Sequence, residues 1–290
     1  MTNEGGAFLR KTLKQGAALL LPGAGNALAA RIVEEAGYAA VFVTGAGIAN
    51  SYLGAPDIGL TSVTEVAAHI GAIREAVSIP LIADADTGFG NAVNVMRTVR
   101  LFERAGASCI MLEDQTFPKR CGHFEGKAVE SLEEMTQKIK AAVDARASAD
   151  TLIMARTDSR AVEGFERSLE RKRAYRDAGA DILFVEAPAS LDELARIPRE
   201  APGIHVCNMV IGGKTPLLPQ KQLAEMGFAG VIYANAALQA AMLAMKTVLQ
   251  HLRDHGSIEG CEDQIMSFAE RQKMVDFARY DALANRYASD

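Results

Sequence analysis

A phrase of helix, glycine and apolar run recurs four times in the chain: EEAGYAAVFVT (34–44), ERAGASCIMLE (103–113), RDAGADILFVE (176–186) and AEMGFAGVIYA (224–234). Gly37, Gly106, Gly179 and Gly227 suit helix C′ positions, where the backbone turns left-handed without a Cβ penalty. Seven residues beyond these glycines stand Thr44, Glu113, Glu186 and Ala234, so each phrase predicts a strand ending at the same distance. Four more apolar runs lie between them, ALLLPGAG (18–25), IPLIADADTG (79–88), TLIMARTDS (151–159) and IHVCNMV (204–210). Continuous apolar runs rather than alternation indicate strands covered on both faces, as in parallel sheets. Eight such strands, mostly separated by amphipathic helical stretches, predict a (β/α)8 barrel over residues 1–250. A doubly wound open sheet is the runner-up, but it would usually show fewer strands. After residue 240 the pattern is helical to the end, broken by Gly256 and Gly260. Residues 251–290 therefore read as a helical extension of the same domain, more than a barrel needs and suited to packing on a neighbouring subunit.

Composition narrows the function classes. At 290 residues and 49% hydrophobic, one large core can form. A net charge of −5 gives no electrostatic case for nucleic acid. No apolar run approaches the roughly 20 residues of a membrane helix, and the first residues, MTNEGGAFLRKTLKQG, lack a signal-peptide core. Cysteines 109, 121, 207 and 261 show no tight paired spacing. Those at 109 and 207 fall in strand-like runs, where a buried thiol is the ordinary expectation. A reducing cytoplasm is the expected compartment.

Barrels of this kind carry their active sites at the C-terminal ends of the strands. Read in order, those ends are Thr44-Gly45-Ala46-Gly47, Asp84-Ala85-Asp86, Glu113-Asp114, Arg156-Thr157-Asp158, Glu186 and Asn208. Strand interiors are almost free of charge and their ends collect it, which calls for a cation or an ionic ligand. Asp84 and Asp86, two apart, can point to the same side, and like charges so placed repel unless a cation lies between them. With Glu113 on the next strand and Asp57 on the loop after the second, the ligands are all oxygen, which selects Mg²⁺ or Mn²⁺. Taken alone, the Asp-x-Asp pair could equally cap a helix or sit on a solvated loop. Zinc would need His69, His123 or His205 at ligand spacing, and no such pair exists. TGAG (44–47) is too short for a nucleotide fingerprint, but its amides can hold a carboxylate or oxyanion. Arg156 either grips a substrate carboxylate bidentately or forms an ion pair with Glu186.

The stretch FPKRCGHFEGK (117–127) follows the strand that ends in Glu113, so it is the fourth βα loop and can fold over a metal site. Gly122 and Gly126 give it the mobility a lid needs. Cations beside Cys121 would lower its thiol from about 8.5 toward neutrality, where it can act as a general acid or base. The bland alternative is an exposed cysteine on a basic loop.

With KRCGH after a strand ending in EDQ, and DADTGFG one strand earlier, the chain resembles the isocitrate lyase/phosphoenolpyruvate mutase superfamily from about residue 10 to 250. PKRCGH is the specific element and marks the carbon–carbon lyase branch; the mutases and phosphonopyruvate hydrolases typically have asparagine at the cysteine. The resemblance implies a barrel with a C-terminal helix swapped between subunits, usually in a tetramer. It also implies an Mg²⁺ shell of Asp57, Asp84, Asp86 and Glu113, and a catalytic thiol at Cys121. Thr44, Gly45 and Ala46 would hold an α-keto acid, while Arg156, Glu186 and Asn208 bind substrate. Lys119, Arg120, Gly122 and His123 would belong to the lid, with Lys119, His123 and Arg156 in the catalytic set beside Cys121, and Arg120 and Gly122 among the substrate-binding residues. The implied reaction is a retro-aldol cleavage of a substituted malate, in which Cys121 protonates the departing carbanion. Departures from the 2-methylisocitrate lyase pattern are Phe42 for tyrosine, TGAG for SGGG, VIGGKTP (210–216) and Tyr233-Ala234-Asn235. They favour a smaller malate, 2,3-dimethylmalate first.

Four other readings stand beside this one. Oxaloacetate hydrolysis uses the same lid. A phosphonate-handling mutase shares the barrel, but KRCGH argues against it, and a Schiff-base aldolase needs a lysine at a strand end, where none stands: Lys214 and Lys119 are on loops. A non-enzymatic binding or scaffold protein would not need Cys121 and the carboxylates together.

Overall fold

Gly37, Gly106, Gly179 and Gly227 all take positive φ, from +84° to +105°. In each case the glycine N–H reaches back three residues and the next N–H reaches back five, as in Gly106 to Glu103 (3.0 Å) and Ala107 to Phe102 (3.0 Å). This Schellman turn satisfies the last helical carbonyls and sends the chain straight into a strand.

The computed structural model describes residues 3–122, 124 and 126–288. Its strands are β1 Leu19–Ala24, β2 Val41–Val43, β3 Leu81–Asp84, β4 Cys109–Glu113, β5 Leu152–Thr157, β6 Ile182–Val185, β7 Ile204–Asn208 and β8 Gly230–Tyr233. They form one closed parallel barrel in chain order, sealed by pairing of Leu19 with Gly230 through Pro22 with Tyr233. The expected (β/α)8 architecture is therefore present, and the open-sheet alternative is not. The compact units are 1–236 and 237–290. The division falls before residue 250 because the helix Ala236–His255 runs unbroken through that point. The second unit also holds helices Phe268–Met274 and Phe277–Arg286, and none of its three α-helices buries a residue. Among the described residues no helix is long and apolar enough to cross a membrane.

Strand side chains alternate between two environments. Phe42, Ile82, Met111, Met154, Phe184 and Val206 pack together inside the barrel, whose N-terminal end is plugged by Leu9 and Leu13 of the helix Glu4–Leu13. Their strand neighbours Val43, Ala83, Leu112 and Ala155 pack outward under the helices. Each fully buried Leu, Ile, Met or Phe contributes about 1.5–3 kcal/mol. Two residues beyond each of those six inner positions stand Thr44, Asp84, Glu113, Arg156, Glu186 and Asn208. The period-2 register thus turns all six toward the barrel axis, just past the point where its apolar filling stops. They are buried there at a cost that only pairing can offset.

Candidate active site

Asp84 is anchored by two backbone donors. Its Oδ2 accepts the N–H of Gly45 at 3.3 Å and its Oδ1 the N–H of Asp86 at 3.1 Å. Thr44 caps the short helix Gly45–Ile48 by accepting the Gly47 N–H at 3.1 Å, and the half-buried Ala46 lies in that helix. A β-carbon on Gly45 would stand 3.1 Å from Asp84 Oδ2 and 3.3 Å from Asp86 Oδ1. Glycine lets the backbone lie against both carboxylates.

Asp84, Asp86 and Glu113 are 8%, 6% and 1% exposed, so three acids share a desolvated space. Burial pushes Asp84 up and lifts Asp86 to about 6, with Lys119 opposing the rise in each case. Glu113 is pushed well above the usual carboxylate range by burial, against the pull of Arg156. These carboxyls lack positive charge. Lys119 supplies some: its buried Nζ lies 2.5 Å from Asp57 Oδ1 and 2.7 Å from Asp86 Oδ1. Burial works against that ammonium, yet Asp86, Glu113 and Asp57 outweigh it and raise its pKa. Glu113 Oε1 is buried without a hydrogen-bond partner among the described residues. An orphaned oxygen within an all-oxygen donor set fits a hard divalent cation. No three His, Cys, Asp or Glu side chains among the described residues form a ready metal cage.

Arg156 has a partner that the sequence reading passed over. Its Nε and Nη2 fork onto Asp158 at 2.9 and 3.1 Å, while Nη1 reaches Glu113 at 3.3 Å and Glu186 at only 3.5 Å. The guanidinium also lies 5.6 Å from the Phe184 ring centroid. The ion pair with Glu186 offered as one reading of Arg156 is thus present, as one of three carboxylate contacts. Burial would raise Asp158, but Arg156 and Lys127 win and hold its carboxyl low. Behind it Asp114, of outward register, accepts Thr157 Oγ1 at 2.6 Å, the Asp158 N–H at 2.8 Å and the Tyr175 hydroxyl at 2.7 Å. Asn208 Oδ1, at the end of β7, is buried with no partner among the described residues.

The cysteine loop lies over these groups. Antiparallel contacts between 114–116 and 128–130 pin its base, and Gln115 holds Arg120 at both its N–H (2.9 Å) and carbonyl (2.8 Å). Cys121 is half-buried and all four cysteines are thiols. Of the cations expected near Cys121, Lys119 is turned to Asp57 and Asp86, and Arg120 is exposed. His123 lies outside the described residues. Gly122 is packed so closely that a β-carbon would overlap the Arg156 guanidinium and stand 2.6 Å from Glu186 Cγ. Gly122→Ala should therefore lift the loop and lower kcat/KM roughly 10²-fold, while thermal unfolding stays near that of the parent. Unchanged steady-state kinetics would mean that the loop does not work from this position. The strands contain no lysine, as a Schiff-base aldolase would require. His205 is buried on β7 with Nε2 on the Ala201 carbonyl at 2.7 Å, a structural role.

The phosphoenolpyruvate phosphomutase family model matches residues 9–253. The chain is 44% identical over 283 residues to the 2,3-dimethylmalate lyase of Eubacterium barkeri, covering 98% of each. It superposes on oxaloacetate acetylhydrolase in complex with 3,3-difluorooxalacetate with a TM-score of 0.92 at 32% identity, covering 99% of this chain and 98% of the other. Phosphonopyruvate hydrolase in complex with oxalate and Mg²⁺ superposes with a TM-score of 0.88 at 34% identity, covering 99% of each.

Proposed function

Because the chain belongs to the phosphoenolpyruvate mutase/isocitrate lyase superfamily, we propose that it is a Mg²⁺-dependent lyase that cleaves the C2–C3 bond of a substituted malate to pyruvate and a carboxylate. One observation carries the reading. The Cys121 loop is laid onto a buried carboxylate cluster on one side, through Lys119 on Asp86, and onto Arg156 and Glu186 on the other, through Gly122. That the stretch carrying Cys121 stands beside an acid cluster and a guanidinium supports the reading.

Asp57, Asp84, Asp86 and Glu113 would hold the ion, which when bound supplies Lewis-acid polarisation of the 2-hydroxyl and its carboxylate. The Thr44–Ala46 segment, through the Ala46 amide, and the Asn208 side chain orient the α-keto acid half. Arg156, held by Asp158, faces the developing negative charge in a water-poor site. As the C2–C3 bond breaks, the hydroxyl proton passes to solvent water and the C2 carbonyl of pyruvate forms. The bond pair passes to C3, and the Cys121 S–H protonates it, leaving a thiolate. Phe42 sits in the inner layer directly below Thr44, so the pocket floor lacks a hydroxyl there. That favours 2,3-dimethylmalate, with pyruvate and propionate as products, over the tricarboxylate 2-methylisocitrate.

The test is pyruvate release, coupled to NADH oxidation by lactate dehydrogenase, from each malate with Mg²⁺. Faster turnover of 2,3-dimethylmalate is expected. Pyruvate from neither, with oxalate released from oxaloacetate, would replace the lyase by a hydrolase on the same site. Leu243, Leu249, Phe268 and Tyr280 are exposed on the C-terminal helices, which supports a homo-oligomer, in keeping with a tetramer; light scattering that gives a monomer would refute it.

A further inference from the structure

Lys127 closes the stretch that carries Cys121, and none of the roles above uses it for the reaction. Its side chain is 2% exposed. The ammonium donates to Asp158 Oδ1 at 2.9 Å and to the carbonyl of Gly122. The same Asp158 oxygen receives Arg156 Nη2 at 3.1 Å. Asp158 itself is fixed from behind, because its N–H donates to Asp114 Oδ1 at 2.8 Å. An unbroken line of hydrogen bonds therefore runs from the carbonyl of the residue after Cys121, through Lys127 and Asp158, to the guanidinium of Arg156.

Charge neutralisation alone does not account for this. Asp158 already has a bidentate partner in Arg156. An ammonium that only balanced charge would also have no need of the Gly122 carbonyl. Three N–H donors on a compact head suit a group that must reach a carboxylate and a carbonyl together. Gln115 on Arg120 staples the loop at the near side of the cysteine. Lys127 holds the far side.

We propose that Lys127 is a positioning residue that ties the cysteine loop to the Arg156–Asp158 pair and so sets the thiol against the reacting carbon. This rests on the reading of Cys121 as the proton donor, but the tether can be observed independently of it. Cys109, Cys207 and Cys261 are no more than 2% exposed, so Cys121 is the thiol that reports on the loop. The experiment compares parent, Lys127→Met and Lys127→Arg by iodoacetamide labelling of Cys121, read by peptide mass, alongside kcat and KM. Loss of a charged hydrogen bond should let the loop lift, so that Lys127→Met labels roughly tenfold faster. Its kcat should fall about 10²-fold with a smaller change in KM. Lys127→Arg, which keeps the charge and donors, should recover most of both; if Lys127→Met does not fold, slower labelling in Lys127→Arg than in Gly122→Ala still supports the tether. Labelling and kcat within a factor of about two of the parent in Lys127→Met would overturn the proposal. So would a Lys127→Arg variant that labels as fast as Gly122→Ala. Should Cys121→Ser prove fully active, the proton-donor reading fails, while the labelling rates still decide the tether.

Discussion

Cys121→Ser is expected to lose turnover by about 10²–10⁴-fold, the usual contribution of a positioned general acid, while still binding Mg²⁺ and pyruvate. The substitution is nearly isosteric and Cys121 is half-buried, so the loop has no packing reason to move. What changes is acidity: a thiol titrates near 8.5, whereas an alcohol holds its proton too strongly to deliver it to a carbanion at neutral pH. The binding side of the prediction is as important as the loss. Gly45, Asn208 and Arg156 lie on strand ends or in the helix cap, not on the loop. Pyruvate affinity, by calorimetry in the presence of Mg²⁺, should therefore stay within a few-fold of the parent. Near-full activity in Cys121→Ser would remove the loop from proton transfer. Activity and pyruvate binding lost together would instead mean that the serine had displaced the loop.

The barrel was legible because its signal is local and repeated. Each helix end, glycine and apolar run is one βα unit, and four of the turns are the same hydrogen-bonded motif. The inward set was equally readable, since counting by two from Phe42, Ile82, Met111, Met154, Phe184 and Val206 lands on the polar strand ends. Asp158, two beyond Arg156, falls on the same count, but the count does not show that the two side chains pair. Lys127 could not be found this way. Its contacts with Gly122 and Asp158 depend on how a loop of eleven residues folds back (117–127), and no periodicity describes that. Asp114 illustrates the opposite parity: adjacent to Glu113, it points outward and organises Tyr175 and Thr157 behind the site. Sequence order puts Lys119 on the fourth βα loop, yet its reach to Asp57 and Asp86 depends on how that loop folds.

The metal assignment turns on Asp84. Asp84→Asn preserves shape but removes a charge from the centre of the acid cluster. It also sets an amide N–H₂ against one of the two backbone donors, Gly45 or Asp86, whose N–H groups Asp84 now accepts. Both effects point the same way, because the cluster loses attraction for a cation and a backbone donor loses its acceptor. Lys119 can still satisfy Asp57 and Asp86, so the fold should tolerate the change better than Asp84→Ala would. The expected result is a 10- to 100-fold weaker apparent affinity for Mn²⁺, the scale found when metal-site partners are altered. Free Mn²⁺ counted by electron paramagnetic resonance reads this without reference to turnover. The Mg²⁺ concentration giving half-maximal pyruvate release should rise in parallel. If Mn²⁺ binding is unchanged while activity falls, Asp84 acts on substrate and the ion lies elsewhere among Asp57, Asp86 and Glu113. If both are unchanged, the carboxylate cluster is an ionic partner for Lys119 alone, and a hard cation has no place in it.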